Sequence, residues 1–559
     1  MNGGNPTVRR VLDQCAALDA IRLTQEGIWD ELGGICFPRY GPISNRRQPQ
    51  SGGRADKGRI AQNFDGTAMR ACETLAKGQA ARITPMGGRW FVLRPPQKIA
   101  DSREAQNWFA RCTEILISFL GASNFYNRAF QAYQERGGFG CSALETTSGA
   151  NGRGLHFRIL PVGTYAVAEN SLDEVDVVYR THYQTPAQLA GQFGAAALPE
   201  IVRKALDDPT RRHANTEQVI HALYPRVDRD PRKTDALNKA VASLHVHKGT
   251  ETLLLESGFD SQPVAVSRWQ TNPLSPYGWG PADYALPEAI QANFQEQMLD
   301  VLAETAAFPR LLVPAGMKDE IDFAAMGITM FEANAGEAQM PKEWLTQGRY
   351  DIGKDRAADK KKAIEQSFFV DLFTAISRLS PDATATQVGA IVSESRELFH
   401  PIFSNMVREF HTPVLRRCFA LLMEQGEMPP PPAAVLQHDD LGAFIADPDV
   451  EYVSAMALAL EQSHLSGFNE ILSVFSPLAA LDPAWLAGLS PERCLEYFIR
   501  AKGLPSMISR TPEEMQALAQ QAQQAAQAQQ AQQATEAVRN LGGVDETAKA
   551  AQMLQSPPQ

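Results

Sequence analysis

Two amphipathic helical stretches enclose forty residues that have no helical period, and this constrains the chain more than any other feature. The first stretch follows Tyr277-Gly278-Trp279-Gly280-Pro281 and sets Ile290, Phe294, Met298, Val301, Leu302 and Thr305 on one face before Pro309 stops it. From Pro287 to Ala307 it spans roughly 30 Å at the standard helical rise. The second starts near Asp351 and repeats Ile364, Phe368, Leu372 and Ile376 every four residues. Between them, Arg310–Arg349 carries Pro, Gly and short apolar runs. Two helices around such an insert predict a hairpin with a head at its tip.

The segment before this hairpin predicts a mixed α+β unit. Val8, Val11, Leu12, Cys15, Leu18, Ile21, Ile28, Trp29 and Leu32 mark one helical face, and the Arg/Gly-rich stretch from Pro38 to Gly58 predicts a loop. Asp65 is expected to cap a helix running to Ile83, and a further amphipathic helix covers Arg103 to Leu120. Strand texture occupies Leu155–Leu160, Tyr165–Ala168, Val175–Tyr183, Ala242–Val246 and Thr252–Leu255. Thr185-Pro186-Ala187-Gln188 has the cap, first-turn proline and third-position Gln of a helix start.

Beyond the breaker Ser380-Pro381-Asp382, an apolar stripe runs from Val388 to Leu422 across Pro401 and Pro413. The stripe continues on both sides of each proline, so kinks rather than ends are expected, and Pro429 to Pro432 closes it. A smaller helical region covers Glu451–Lys502. Thr511-Pro512-Glu513-Glu514 is a capping box opening an Ala/Gln-rich helix to about Leu541, good in propensity but weak in apolar stripe.

A chain of 559 residues exceeds one compact core, so several domains are expected. A net charge of −11 excludes a general polyanion binder and leaves room only for local or weak contact with nucleic acid. The seven cysteines are scattered without metal or redox spacing and read as buried thiols. Met1 to Arg10 holds no apolar signal core, and no stretch nears the ~20 apolar residues of a membrane span.

Catalytic chemistry finds little footing. Gly52-Gly53-Arg54-Ala55-Asp56-Lys57-Gly58 lacks the Gly-Lys-Ser/Thr ending of a phosphate loop and reads as solvated. His245 and His247 alternate on a strand but lack a third ligand, so half-exposed strand histidines are expected rather than a metal site. Gly140-Cys141-Ser142-Ala143-Leu144 lacks the second glycine of a nucleophile elbow. The reading is therefore non-enzymatic, with no cofactor and no metal.

A series of short segments resembles the head-to-tail connector, or portal, family of short-tailed phages. It includes Trp90-Phe91, Asn124-Phe125-Tyr126, Gly137-Gly138-Phe139-Gly140, Tyr179-Arg180, Thr185-Pro186-Ala187-Gln188-Leu189 and Phe193-Gly194. The best segment runs from Pro263 to Asn293 through Arg268-Trp269 and Tyr277-Gly278, and Ala385-Thr386-Gln387-Val388 leads on to Gly426-Glu427-Met428-Pro429. No single motif is specific; their order is.

The resemblance implies a mixed α+β, mainly α, portal fold and a ring, usually of twelve subunits, at one capsid vertex. On that fold, residues 1–281 would be wing, 282–309 stem helix 1, 310–349 clip, 350–376 stem helix 2 and 377–386 channel loop. Residues 387–432 would be a long kinked wing helix, 433–510 crown, and 511–559 a C-terminal barrel helix and tail. The Arg/Gly-rich region Arg39–Arg59 departs from the family pattern, so no role carries over to it.

Implied partners are other copies of the chain, the terminase large subunit, major capsid and scaffolding proteins, tail adaptors, internal core or ejection proteins, and double-stranded DNA without sequence preference. Assembly would take place in the infected bacterial cytoplasm, and the final location would be the virion. Lys354, Arg356, Lys360, Lys361 and Lys362 are candidate phosphate contacts, against the competing reading of a charged helix face or contacts to neighbours. Arg378, Ser380, Pro381 and Asp382 are the candidate channel-loop residues. The alternative function is another virion structural protein, an internal core or tail component; a tail fibre is disfavoured because β repeats are absent.

Overall fold

The computed structural model describes residues 5–43, 57–307, 310–312, 342–344, 350–378, 401–439 and 442–453, apart from 101, 150, 151, 215 and 234. The chain divides into two compact units, residues 1–460 and 461–559, and every described residue belongs to the first. The segment 44–56, residues 313–341 and 345–349 of the insert, residues 379–400 and everything after 453 therefore lie outside the described residues. With them lie the expected channel-loop residues Ser380, Pro381 and Asp382, the helical region Glu451–Lys502 beyond its first residues, and the Ala/Gln-rich helix.

Helix α1 (Pro6–Cys36) starts at Asn5, whose side-chain oxygen accepts from Thr7 N at 3.1 Å, with Pro6 in the first turn. Short α2 (Lys57–Ala61) precedes α3 (Thr67–Arg82). The cap of α3 is Gly66, not Asp65: the Asp65 carboxylate is taken up by the Thr67 hydroxyl at 2.8 Å. Strand β1 (Phe91–Arg94) leads to α4 (Arg103–Ala122) and α5 (Phe125–Phe139).

A run of strands follows: β2 (Cys141–Ser148), β3 (Leu155–Leu160), β4 (Tyr165–Glu169) and β5 (Val175–Gln184). The expected capping box opens α6 (Pro186–Phe193), with the Thr185 side chain accepting from Gln188 N and Gln188 reaching back to Thr185 N. Then come α7 (Glu200–Asp207), β6 (Glu217–Pro225), β7 (Val241–His247), β8 (Thr252–Phe259), β9 (Val264–Arg268), β10 (Gln270–Asn272) and β11 (Ser275–Trp279).

Strands β4-β5-β6-β7-β8 form an antiparallel meander, and β3-β2-β9 a second antiparallel sheet. The N-terminal half of α1 covers the meander through Val8, Val11 and Cys15, while its C-terminal half enters the main core through Trp29, Leu32 and Cys36. One helix thus ties the two cores together. The mixed α+β reading holds for this half of the chain.

Helix α8 (Pro281–Ala307) and α9 (Tyr350–Ser367) pack on each other, and the insert between them leaves and returns as a two-stranded ribbon of β12 (Arg310–Leu312) and β13 (Lys342–Trp344). The expected hairpin is present. Helix α8 begins six residues before Pro287 and takes that proline inside its second turn, at the loss of one backbone hydrogen bond to the preceding turn.

The second helix of the hairpin is not continuous, contrary to the sequence reading. It breaks after Phe368, Phe369 adopts φ 54°, and α10 (Val370–Arg378) starts afresh. Arg378 is the last residue of α10, so its backbone is helical rather than part of a loop.

Helical backbone is described again from 401, widens into a π turn at Val407–His411 and continues as α11 (Thr412–Glu424). Pro413 has no N–H to return to the preceding turn, and the widened turn accommodates it. Strands β14 (Leu436–Asp439) and β15 (Gly442–Ile445) pair with each other, and β16 (Asp449–Tyr452) returns to pair antiparallel with β1. Six of the seven cysteines are buried and free, and Cys494 lies outside the described residues.

Candidate assembly interface on the helical hairpin

Helix α8 is packed the opposite way round from what its large apolar residues suggest. Its buried face is alanine, made of Ala282, Ala285, Ala289 and Ala292, which lets neighbouring backbone approach closely. Its large apolar stripe faces outward: Ile290 is 51% exposed, Phe294 60%, and Met298 and Val301 nearly half. Tyr284 extends the stripe by one more turn. The helix carries Asp283, Glu288, Glu296, Asp300 and Glu304 and no basic residue.

An exposed ridge of this size is unusual for a monomer, since contiguous apolar patches larger than a few hundred Å² mark interaction surfaces. The hairpin is anchored to the body from the other side. Asn293 accepts from Phe64 N at 2.6 Å and Asp65 N at 3.0 Å, and its amide donates to Gln62 O at 3.0 Å. A single side chain on α8 thereby satisfies the backbone of the segment entering α3.

The five candidate cations on α9 separate into two groups. Lys361 is paired with Glu296 of α8 and lies 3.8 Å from Asp65, so it braces the hairpin against α3. Lys354, Arg356 and Lys362 are exposed, and Lys360 is half-buried. Sequence reasoning grouped all five because only their spacing was visible; the acids around Lys361, Glu296 and Asp65, come from α8 and from the segment entering α3.

Helix α10 docks on α3. The ring of Phe373 lies against Gly78, where an added Cβ would sit 2.2 Å from Phe373 Cδ1. The Arg82 guanidinium donates to Leu372 O at 3.2 Å and Phe373 O at 3.1 Å, and stacks 5.5 Å from the Phe373 ring centre. Burial pushes Arg82 below its usual value.

The histidines singled out by the sequence are buried, not half-exposed. His245 stacks on His221 with ring centres 4.0 Å apart, and His247 binds Glu217 at 3.1 Å and Thr250 at 2.7 Å. Burial, followed by the nearby Arg180, lowers His245 to about 4; burial first, then Arg180 and His245, lowers His182 to about 3. Stacked, neutral imidazoles among arginines do not present lone pairs to a common point. Among the described residues no group of three or more His, Cys, Asp or Glu is arranged to hold a metal ion, and no helix is long and apolar enough to cross a membrane.

The sequence pattern of the bacteriophage head to tail connecting proteins matches residues 8–509. The chain belongs to that family. Among similar connectors, the probable portal protein of Bordetella phage BPP-1 is 27% identical over 492 residues, covering 86% of this chain and 85% of the relative. The portal protein of Salmonella phage epsilon15 is 24% identical over 521 residues, covering 92% and 90%. A chain from the neck of an empty GTA particle computed with C6 symmetry aligns over 80% of this connector and 92% of its own length. Its TM-score is 0.35 at 11% identity, too low to bear on the connector's fold.

The connector's assignment as a bacteriophage virion structural protein rests on the family match and the two portal relatives. The order of short motifs across the chain was the signal that carried it. The exposed face of α8, in contrast, gave no signal in the sequence beyond being apolar.

Proposed function

We propose that the chain is a portal subunit that closes into a homo-oligomeric ring, of twelve copies by family resemblance, and conducts double-stranded DNA during packaging and ejection. The observation that carries this reading is the outward-facing stripe Tyr284, Ile290, Phe294, Met298 and Val301 on a helix whose inner face is alanine. A ring joined head to tail uses two different patches on each copy. The same hairpin offers both: an acidic, apolar α8 and the exposed cations Lys354, Arg356 and Lys362 on α9.

In this reading α8 and α9 are stem helices, 310–349 is a clip that docks first the terminase and then a tail adaptor, and 377–386 is a channel loop. The wing occupies 1–281, the kinked helix 387–432, the crown 433–510 and the barrel 511–559. Capsid, scaffolding and internal core or ejection proteins are the remaining partners, assembly proceeds in the infected cell, and no catalytic step is assigned to the chain. DNA contact is weak because every copy adds its net charge of −11, which repels the duplex, and tight phosphate contacts would hinder passage. The α9 cations that the neighbouring copy leaves uncovered are the proposed exceptions.

Negative-stain microscopy of the purified full chain tests this directly. Closed rings with a central hole support the proposal, and a field of single subunits at micromolar concentration refutes it.

A further inference from the structure

The stripe on α8 does not end at the helix. The Tyr284 hydroxyl donates to Gln270 Oε1 at 2.8 Å, and Gln270 is the cross-strand partner of Trp279, itself 50% exposed. The β10–β11 hairpin therefore continues the ridge, and its turn presents Leu274 at 95% exposure.

This turn is held stiffly. Leu274 N donates to Asn272 Oδ1 at 3.0 Å and Tyr277 N to Ser275 Oγ at 3.2 Å, with Pro273 and Pro276 on either side of the tip. The base is clamped to the core: Trp269 N donates to Gly140 O at 2.8 Å, and a Cβ on Gly278 would meet Gln270 O at 2.7 Å and Gly140 O at 2.8 Å. A leucine displayed on a rigid, preorganised tip loses little entropy on binding.

We infer that the β10–β11 hairpin is a contact finger that seats Leu274 on a second copy of this chain. The inference rests on the ring reading above and extends it to a surface outside the stem helices. Three observations choose a second copy over another protein. The finger is continuous with the α8 ridge. The seven apolar side chains of finger and ridge expose on the order of 700 Å², given the size of aromatic and aliphatic side chains, close to the roughly 800 Å² per partner of a stable protein interface. The acids of α8 at the same ridge, Glu288, Asp300 and Glu304, also find their complement in the exposed α9 cations of the same sequence.

The experiment is native mass spectrometry of the full chain over a concentration series, comparing the wild type with Leu274→Asp, Leu274→Ser and Phe294→Asp. Leu274 packs against little of its own subunit, so circular dichroism spectrum and melting temperature should be unchanged in both Leu274 variants. Leu274→Asp should raise the concentration needed for assembly at least about tenfold, and Leu274→Ser less, as expected for losing one buried aliphatic side chain. If Phe294→Asp disrupts assembly while Leu274→Asp stays within twofold of the wild type, the finger is refuted and the ring reading stands. A wild-type chain that stays monomeric overturns both. Normal rings from Leu274→Asp that then fail to enter procapsids would put a different protein on the finger and overturn the inference.

Discussion

Arg268 and Glu409 hold each other at the centre of the fold: the guanidinium meets the carboxylate at 2.7 Å, and the Arg268 backbone N donates to the same carboxylate at 2.8 Å. Arg268 ends β9 and is 1% exposed; Glu409 sits in the π turn that precedes α11. Glu169 and the Asp173 carbonyl complete the guanidinium's partners. The Arg268 carbonyl in turn accepts from the buried Arg136. Burial alone would depress Arg268, but the bonds to Glu409 and Glu169 more than reverse it, so its pKa is raised.

Breaking this pair should be costly. Glu409→Ala leaves a buried guanidinium short of its main partner, and we predict a loss of about 3 kcal/mol, the lower end for an orphaned buried ion pair. Arg268→Met together with Glu409→Leu should recover much of that loss, because neither charge then needs solvation. Urea denaturation of the two proteins checks both statements.

Acid should weaken the meander and the π turn before it affects the ordinary surface. His182, His221, His245 and His411 all have pKa values lowered, in each case first by burial: His182 and His411 to about 3, His245 to about 4, and His221 well below its usual value. In the unfolded chain they titrate near 6.5, so below that pH the unfolded state takes up protons that the fold refuses. Stability is complete above about pH 6.5 and is lost as pH falls towards 3–4, by on the order of 1–2 kcal/mol per histidine at pH 5. Urea midpoints at pH 7.5 and 5.0 should differ by less in His245→Asn than in the wild type.

The contact of α10 with α3 predicts a paired result. Gly78→Ala puts a methyl group where Phe373 lies, and overpacking of this kind costs typically 1–3 kcal/mol. Adding Phe373→Ala removes the obstacle, so the second substitution should restore hydrogen-exchange protection to the α3 amides that the first one lowers. If the double variant exchanges faster than Gly78→Ala alone, the notch does not position α10.

Lysines of α9 should separate by role. Lys361→Ala removes the brace to Glu296 and Asp65 and should lower the melting temperature while leaving weak DNA retention on a heparin or duplex column unchanged. Replacing Lys354, Arg356 and Lys362 together should do the reverse, with retention falling and its salt dependence becoming shallower.

Much of the fold was legible because local signals were strong. The Thr185 capping box, the inner ends of the α8–α9 hairpin on either side of the insert, and strands with one wetter face such as β3 and β5 all announce themselves in residue order. Strand β2 did not: six of its eight residues are buried on both faces, so Cys141–Ser148 has no alternation to read. The break at Phe369 was hidden too, since no Gly or Asn stands at the left-handed position and the stripe Ile364, Phe368, Leu372 runs straight through it. His247 looked isolated because its partner Glu217 opens β6, a strand the sequence reading missed.

The outward face of α8 was the hardest part to read. Apolar periodicity tells which face of α8 avoids water, not whether its cover comes from the same chain. Alanines at 282, 285, 289 and 292 were passed over because small side chains weigh little in a hydrophobic pattern, yet they make the contact within the subunit.

The outward stripe of α8 is proposed to join copies of the chain into a ring. Cryo-electron microscopy of the assembled protein, with side chains visible, tests it most directly. The expected result is a closed ring in which Phe294 and Met298 are buried against the neighbouring copy. A ring that leaves both in solvent, or covers them with another segment of their own subunit, would contradict it.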